Sequence, residues 1–194
     1  MKRLLPTMFV FAILLPSLSY AQSLISFEKN DLYGFKNKKG KVVITPQYTL
    51  VNDFNEKGVA FVLNKNEWAC IDSNNKYLLS PFIFDNGPDY ASEGLARFVE
   101  NKKIGFFDSA CKKTIKAEYD FANPFENQFS IVCNGCASVK DGEHSTIQGG
   151  KYGVINKKGK VVVSIEFDSI VSIDIRKKTA TVTKGNSKQE VKLQ

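Results

Sequence analysis

Lys151-Tyr-Gly-Val-Ile-Asn-Lys-Lys-Gly-Lys160, running into Val161-Val-Val163, decides the fold, because its opening phrase occurs three more times. Leu32-Tyr-Gly-Phe35, Glu67-Trp-Ala-Cys70 and Lys103-Ile-Gly-Phe106 are its copies. Self-similarity of this kind marks a fold assembled from one supersecondary unit. With Tyr33, Trp68, Ile104 and Tyr152 as origins, the spacings are 35, 36 and 48, so the third unit holds an insertion of about 12 residues.

One step past each origin lies a small residue: Gly34, Ala69, Gly105 or Gly153. Two steps past lies an apolar one: Phe35, Cys70, Phe106 or Val154. This period of two is a strand signature; the aromatic and apolar positions should face the core, and the small residue should admit a close neighbour on the opposite face. Seven steps on come Gly40, Asn75, Cys111 and Gly159, in polar stretches that begin with Asn37, Asp72, Asp108 and Asn156. These read as hairpin turns. A second strand follows each, and Tyr48, Ile83, Tyr119 and Phe167 are expected as apolar anchors. A loop aromatic (Phe54, Tyr90 or Phe125) and a third strand complete the first three units.

The expected fold is therefore all-β. About four antiparallel units of three or four strands should begin near residues 32, 67, 103 and 151. Ile25 and Phe27 stand before Tyr33 as Ala60 and Val62 stand before Trp68, so the array should open with a third-strand equivalent. Residues 170–194 should supply capping strands. An open twisted stack or barrel-like array is expected, with a small propeller-like ring as the alternative.

The stretches Tyr33-Gly-Phe35, Thr45-Pro-Gln-Tyr48, Ser92-Glu-Gly-Leu-Ala96 and Lys151-Tyr-Gly-Val-Ile155 with Gly159-Lys160 resemble the WG-repeat family. The likeness runs from about Tyr33 to Ile170, although no unit keeps an intact Trp-Gly pair. The resemblance implies a β-rich, often exported, non-enzymatic repeat protein.

The N-terminus reads as a leader. Lys2 and Arg3 precede an apolar run from Leu4 to Leu18, and Ser19-Tyr20-Ala21 offers a signal-peptidase site. Cleavage after Ala21 would leave a single domain, 22–194, that is periplasmic or secreted, with formal charge falling from +7 to +5. No later apolar run is long enough to span a membrane as a helix.

Four cysteines in an exported chain permit disulfides. Cys70 fills the slot of Phe35, Phe106 and Val154 and reads as a buried thiol. Cys111 stands at a turn tip. Their pairing stays open, but a first-strand core position and a turn tip one unit away are poor neighbours.

The insertion, residues 133–150, is the one segment the repeat does not explain, and insertions in repeat arrays map to loops. A local Cys133–Cys136 disulfide closing an Asn-Gly turn is the main reading. The alternatives are a zinc site from Cys133, Cys136 and His144, or a redox Cys-x-x-Cys. Lys140, Asp141, Glu143 and His144 would form a binding loop. The lysine-rich tips read as solvated turns. A fourth strand near residues 47–51 would bring the acidic loops (Asp53, Glu56; Asp89, Glu93; Glu126) to the same end as those tips.

No catalytic motif occurs, and a lone His leaves no triad. No catalytic residue, cofactor or metal is assigned. Scarce Arg and inward aromatics argue against nucleic acid. The expected function is an exported, non-catalytic binding module for a protein or an anionic envelope polymer. A carbohydrate-active enzyme using loop carboxylates is the alternative, with metal binding through the insertion a further one.

Overall fold

A computed structural model describes residues 24–194 apart from Glu143, so the expected leader lies outside the described residues. The first unit comprises β1 (Ile25–Lys29), β2 (Leu32–Lys36), β3 (Val42–Tyr48) and the short β4 (Leu50–Val51). The second comprises β5 (Val59–Asn64), β6 (Glu67–Asp72), β7 (Tyr77–Pro81) and a small hairpin, β8 (Ile83–Phe84) with β9 (Gly87–Pro88). The third comprises β10 (Ala96–Glu100), β11 (Lys103–Phe107), β12 (Lys113–Tyr119) and β13 (Phe121–Ala122). The fourth comprises β14 (Phe129–Asp141), β15 (His144–Asn156), β16 (Val161–Phe167) and β17 (Ser169–Asp174), and β18 (Thr179–Lys184) and β19 (Ser187–Lys192) end the array. No helix occurs among the described residues.

The sheets are ordered β1-β2-β3, β12-β11-β10-β7-β6-β5-β4, β13-β14-β15-β16 and β17-β18-β19, with β8-β9 standing alone. The array is open, and these strands close no barrel. The turn between first and second strands is built identically in every unit. The side-chain oxygen of Asn37, Asp72, Asp108 or Asn156 accepts from the backbone N–H groups two and four residues on, at 2.9–3.1 Å. That local bond is why only Asn or Asp stands there.

The small residue after each origin decides where a sheet ends. Between β2 and β3 the register passes from Tyr33↔Tyr48 to Phe35↔Ile44, so three residues of β3 arch over Gly34. A Cβ on Gly34 would lie 2.4 Å from the Ile44 carbonyl oxygen, and one on Gly105 or Gly153 would come within 2.6 Å of backbone atoms. Beyond each arch a single residue, Thr49, Asp120 or Asp168, turns the chain from one sheet into the next. Unit two has Ala69 instead. There β7 forms no arch, runs straight on and pairs with β10, which fuses two meanders into the seven-stranded sheet.

This changes the expected positions in unit two. Ile83 is 47% exposed and so is not the apolar anchor its alignment suggested, and the loop aromatic Tyr90 is 73% exposed, unlike buried Phe125. The aromatic origins Tyr33, Trp68 and Tyr152 are only half-buried, at the sheet rim. The second step is the fully buried one: Phe35, Cys70, Phe106 and Val154.

Four apolar clusters form, one per unit, and they are coupled. The residue three steps past each origin turns the other way and packs into the preceding unit: Ile71 into the first, Phe107 into the second, Ile155 into the third. The first strands of units two to four are thus buried on both faces, the nearest-neighbour coupling that stabilises a repeat array. Lys36 holds this position in unit one, which has no earlier apolar cluster to pack into among the described residues. At the far end Val191 still packs on the fourth cluster, but Glu190 stands exposed where a further unit would need an apolar residue. Polar residues thus occupy the coupling positions at both ends of the described array.

Candidate binding groove

Two segments break the repeat, and the fold places them opposite one another. The first follows from Ala69. Phe82 N–H donates to the Arg97 carbonyl at 2.9 Å, and Asp89 N–H donates back to the Phe82 carbonyl at 2.8 Å. Residues 83–88 are left as a projecting hairpin turned by Asp85 and Asn86, whose φ angles are 49° and 66°. Trp68 Nε1 donates to the Asn86 carbonyl at 3.3 Å and steadies it. Ile83, Phe84 and Tyr90 are presented to solvent.

The second is the insertion, which is not a loop. β14 and β15 pair continuously apart from a Gly135–Gly150 kink, forming a two-stranded arm that ends at Gly142. Gly135 has φ 76°, and a Cβ on Gly150 would sit 2.4 Å from the Cys136 nitrogen, so this crossing admits only glycine. Cys133 and Cys136 are three apart and would face opposite sides of a regular strand. The kink turns them together, and they are disulfide-bonded along one strand rather than across a hairpin turn.

The arm separates the residues proposed as a metal site. Cys136 pairs with Gly149, whereas His144 pairs with Asp141, five ladder steps away. At about 3.3 Å per residue that is about 17 Å. Both sulfurs are already bonded to each other, and the described residues contain no cluster of three metal-ligating side chains. Lys140 is exposed and pairs with Ser145; Asp141 and His144 pair at the arm's tip, and Glu143 lies outside the described residues.

Cross-strand partners share a face, so Ser138, Ile147 and Ser145 lie on one side of the arm. That side meets the projecting hairpin across a groove of about 730 Å³. Phe84, Asp85 and Tyr90 line one wall, Ser138, Ser145 and Ile147 the other. The floor comprises Phe82, Phe121, Asn123, Pro124 and an ion pair.

The ion pair, Asp89 with Arg97, is missing from the sequence-level expectations. Arg97 Nε and one Nη donate to the two carboxylate oxygens at 2.8 Å each, and the other Nη donates to the Ala122 carbonyl at 2.9 Å. Arg97 N–H also donates to Asp89 at 3.1 Å, and the guanidinium lies 4.3 Å from the Phe82 ring centroid. Both side chains are buried. A buried charge pair is tolerated only with this degree of hydrogen bonding. It locks the second unit to the third and makes the groove floor rigid. Asp89 and Glu93 had read as a repeating acidic pair, and only pairing β7 with β10 brings Arg97 onto Asp89.

Other acidic residues are also engaged. Asp120 accepts from Lys103 Nζ at 2.6 Å and from Gly135 N–H at 2.7 Å. Asp168 accepts from Lys151 Nζ at 2.5 Å and Gly185 N–H at 2.6 Å. The lysines, then the backbone N–H groups, hold both carboxyls below the usual carboxylate range. The short β4 and β13 do pair, and turns meet loops at one edge: Asn55 Nδ2 donates to the Ser109 carbonyl at 2.8 Å, and Lys157 Nζ donates to the Glu93 carbonyl. The lysine tips and acidic loops interleave there.

Cys70 and Cys111 are disulfide-bonded, against the geometric expectation. Each turn tip reaches back over the preceding unit's core. Asn75 Oδ1 accepts from Tyr48 Oη at 2.6 Å, and Gly159 approaches Ile115. Cys111 does the same over Cys70, and is buried rather than exposed.

An open tandem β-array with a groove between its two irregular segments is a repeat-built binding scaffold. The family model for the WG containing repeat matches residues 33–68, 68–103, 104–135 and 152–186, and the chain belongs to that family. No curated protein and no solved structure matches the chain.

Proposed function

We propose that this protein is an exported, non-catalytic binding module whose ligand lies in the groove between the projecting hairpin and the β14–β15 arm. The observation that carries the reading is the meeting of the two departures from the repeat across one concave, aromatic-lined surface. Function in repeat proteins concentrates in such added segments. The engagement of Asp89, Asp120 and Asp168 in structural pairs supports a binding role over acid–base chemistry. Two disulfides using all four cysteines suit an oxidising compartment outside the cytoplasm.

The test is capture of envelope material by wild type, by Phe84→Ser/Tyr90→Ala, and by a variant in which residues 137–148 are replaced by Asn-Gly. Loss of the captured component in both variants is expected. Equal recovery by all three would remove the groove from the function. N-terminal sequencing of the protein from the producing cells should begin at Gln22 if the leader is cleaved.

A further inference from the structure

We propose that the groove takes an uncharged glycan chain, an identification that rests on the groove being the binding site. Three properties of the lining carry it. Phe84, on the projecting hairpin, is 53% exposed, Tyr90, two residues beyond it, is 73% exposed, and both line the groove. Large rings left in water at the mouth of a rigid groove are platforms for a flat, weakly apolar partner.

The second property is hydrogen-bonding capacity that the fold does not consume. Among the described residues, the side chains of Asp85, Tyr90, Asn123, Ser138 and Ser145 line the groove and make no hydrogen bond to another described residue. Hydroxyl, amide and carboxylate groups together both donate to and accept from a ligand. A pyranose chain matches this set, with C–H faces for the rings and hydroxyls around its rim.

Charge supplies the third. The whole chain carries a formal +7, yet the groove's one lining cation, Arg97, has its donors committed to Asp89 and the Ala122 carbonyl. Asp85 remains the unopposed charge in the lining. Lys140, the cross-strand partner of Ser145, shares the groove-facing side of the arm and stands at the groove's rim, just outside the lining. A polyanion would bring its charge against the surplus carboxylate of Asp85, with Lys140 at the rim as a partial counterweight, whereas a neutral glycan adds no charge to oppose Asp85.

The probes are hydroxyethylcellulose, laminarin and galactomannan as neutral polymers, with polygalacturonate as the anionic control. Affinity electrophoresis in gels containing each polymer reads binding as retardation, and calorimetry on the retarding polymer gives the affinity. At least one neutral polymer should bind, with affinity unchanged between about 0.05 and 0.5 M salt. Tyr90→Ala and Phe84→Ala should each weaken it about tenfold, since each removes a stacking face. Both residues are exposed, so unchanged thermal unfolding of the variants will show that the fold survives.

Failure of every neutral polymer, salt-sensitive binding of polygalacturonate alone, or neutral binding indifferent to Tyr90→Ala would each overturn the proposal. If envelope capture depends on the groove while the neutral polymers fail, the ligand class is wrong and the site stands. If capture itself ignores the groove variants, the underlying reading falls with it.

Discussion

Cys111 is bonded to Cys70 where the first and third units pair aromatic rings. Phe54 meets Phe35 edge-on at 4.7 Å between centroids, and Phe125 meets Phe106 at 4.6 Å. In unit two the corresponding loop aromatic, Tyr90, has swung outward with the projecting hairpin. The next unit's turn tip fills the space instead. The disulfide is therefore the counterpart of releasing Tyr90 to the groove.

Replacing both Cys70 and Cys111 by Ala should cost about 4 kcal/mol, from the chain entropy of a loop of this length, the bond spanning 41 residues. The Cys133–Cys136 bond closes only a short loop, so the Cys133→Ala/Cys136→Ala variant should lose about half as much. Urea unfolding of the two double variants checks the ranking, and equal losses would contradict it.

Gly153→Ala should destabilise by about 1–3 kcal/mol or more, because the added Cβ meets backbone that cannot move aside cheaply. The clash is with the Val163 carbonyl oxygen at 2.6 Å. Ala69→Gly, in the unit without an arch, should cost no more than about 1 kcal/mol. Thermal unfolding of the pair separates a steric requirement from simple glycine flexibility.

Tyr119 carries a hydroxyl that is buried with no hydrogen-bond partner among the described residues, and burial pushes its pKa up. Its counterpart Tyr48 donates to Asn75, but the matching turn tip over Tyr119 is Gly159. Tyr119→Phe should be neutral or stabilising by about 1 kcal/mol, whereas Tyr48→Phe should cost about 1 kcal/mol. Gly159→Asn, at φ 78° against 65° for Asn75, should restore the missing bond and raise the unfolding midpoint. A lower midpoint would mean that contact with Ile115 outweighs the bond.

Acid should unfold the array partly through Asp120 and Asp168. Their folded pKa values are depressed, so they stabilise the fold above the ordinary carboxylate pKa of about 3.9. That contribution is lost as pH falls through their lowered folded values. Lys103→Met and Lys151→Met should flatten the fall in urea midpoint between about pH 5 and pH 2. Parallel curves for wild type and the double variant would show that these pairs carry none of it. Both sites are largely solvent-accessible, so the effect should shrink in high salt.

Much of this was legible in the chain. The period-two phrase, the Asn or Asp opening each turn, and the apolar runs after it are local signals, and the strands and turns follow them. The three-step positions Ile71, Phe107 and Ile155 follow directly on the repeated phrase, and only the packing showed that they belong to the preceding unit's core. The groove was half legible. The insertion stood out as 133–150, yet its opposite wall, Phe84 to Tyr90, was aligned as ordinary repeat. A single methyl at Ala69 diverts that wall, and a one-atom difference carries no weight in a pattern of apolar spacings.

Family, all-β class and repeat period were determined by sequence alone, because hydrophobic alternation and turn chemistry act within a few residues. Tertiary structure decided which turn tip covers which core, and so that Cys70 meets Cys111. It also decided that Arg97 is committed to Asp89 and that the two irregular segments face one another. Those outcomes depend on how one meander bends against the next. That bend rests on a backbone approach at Gly34, Gly105 and Gly153, and on its absence at Ala69.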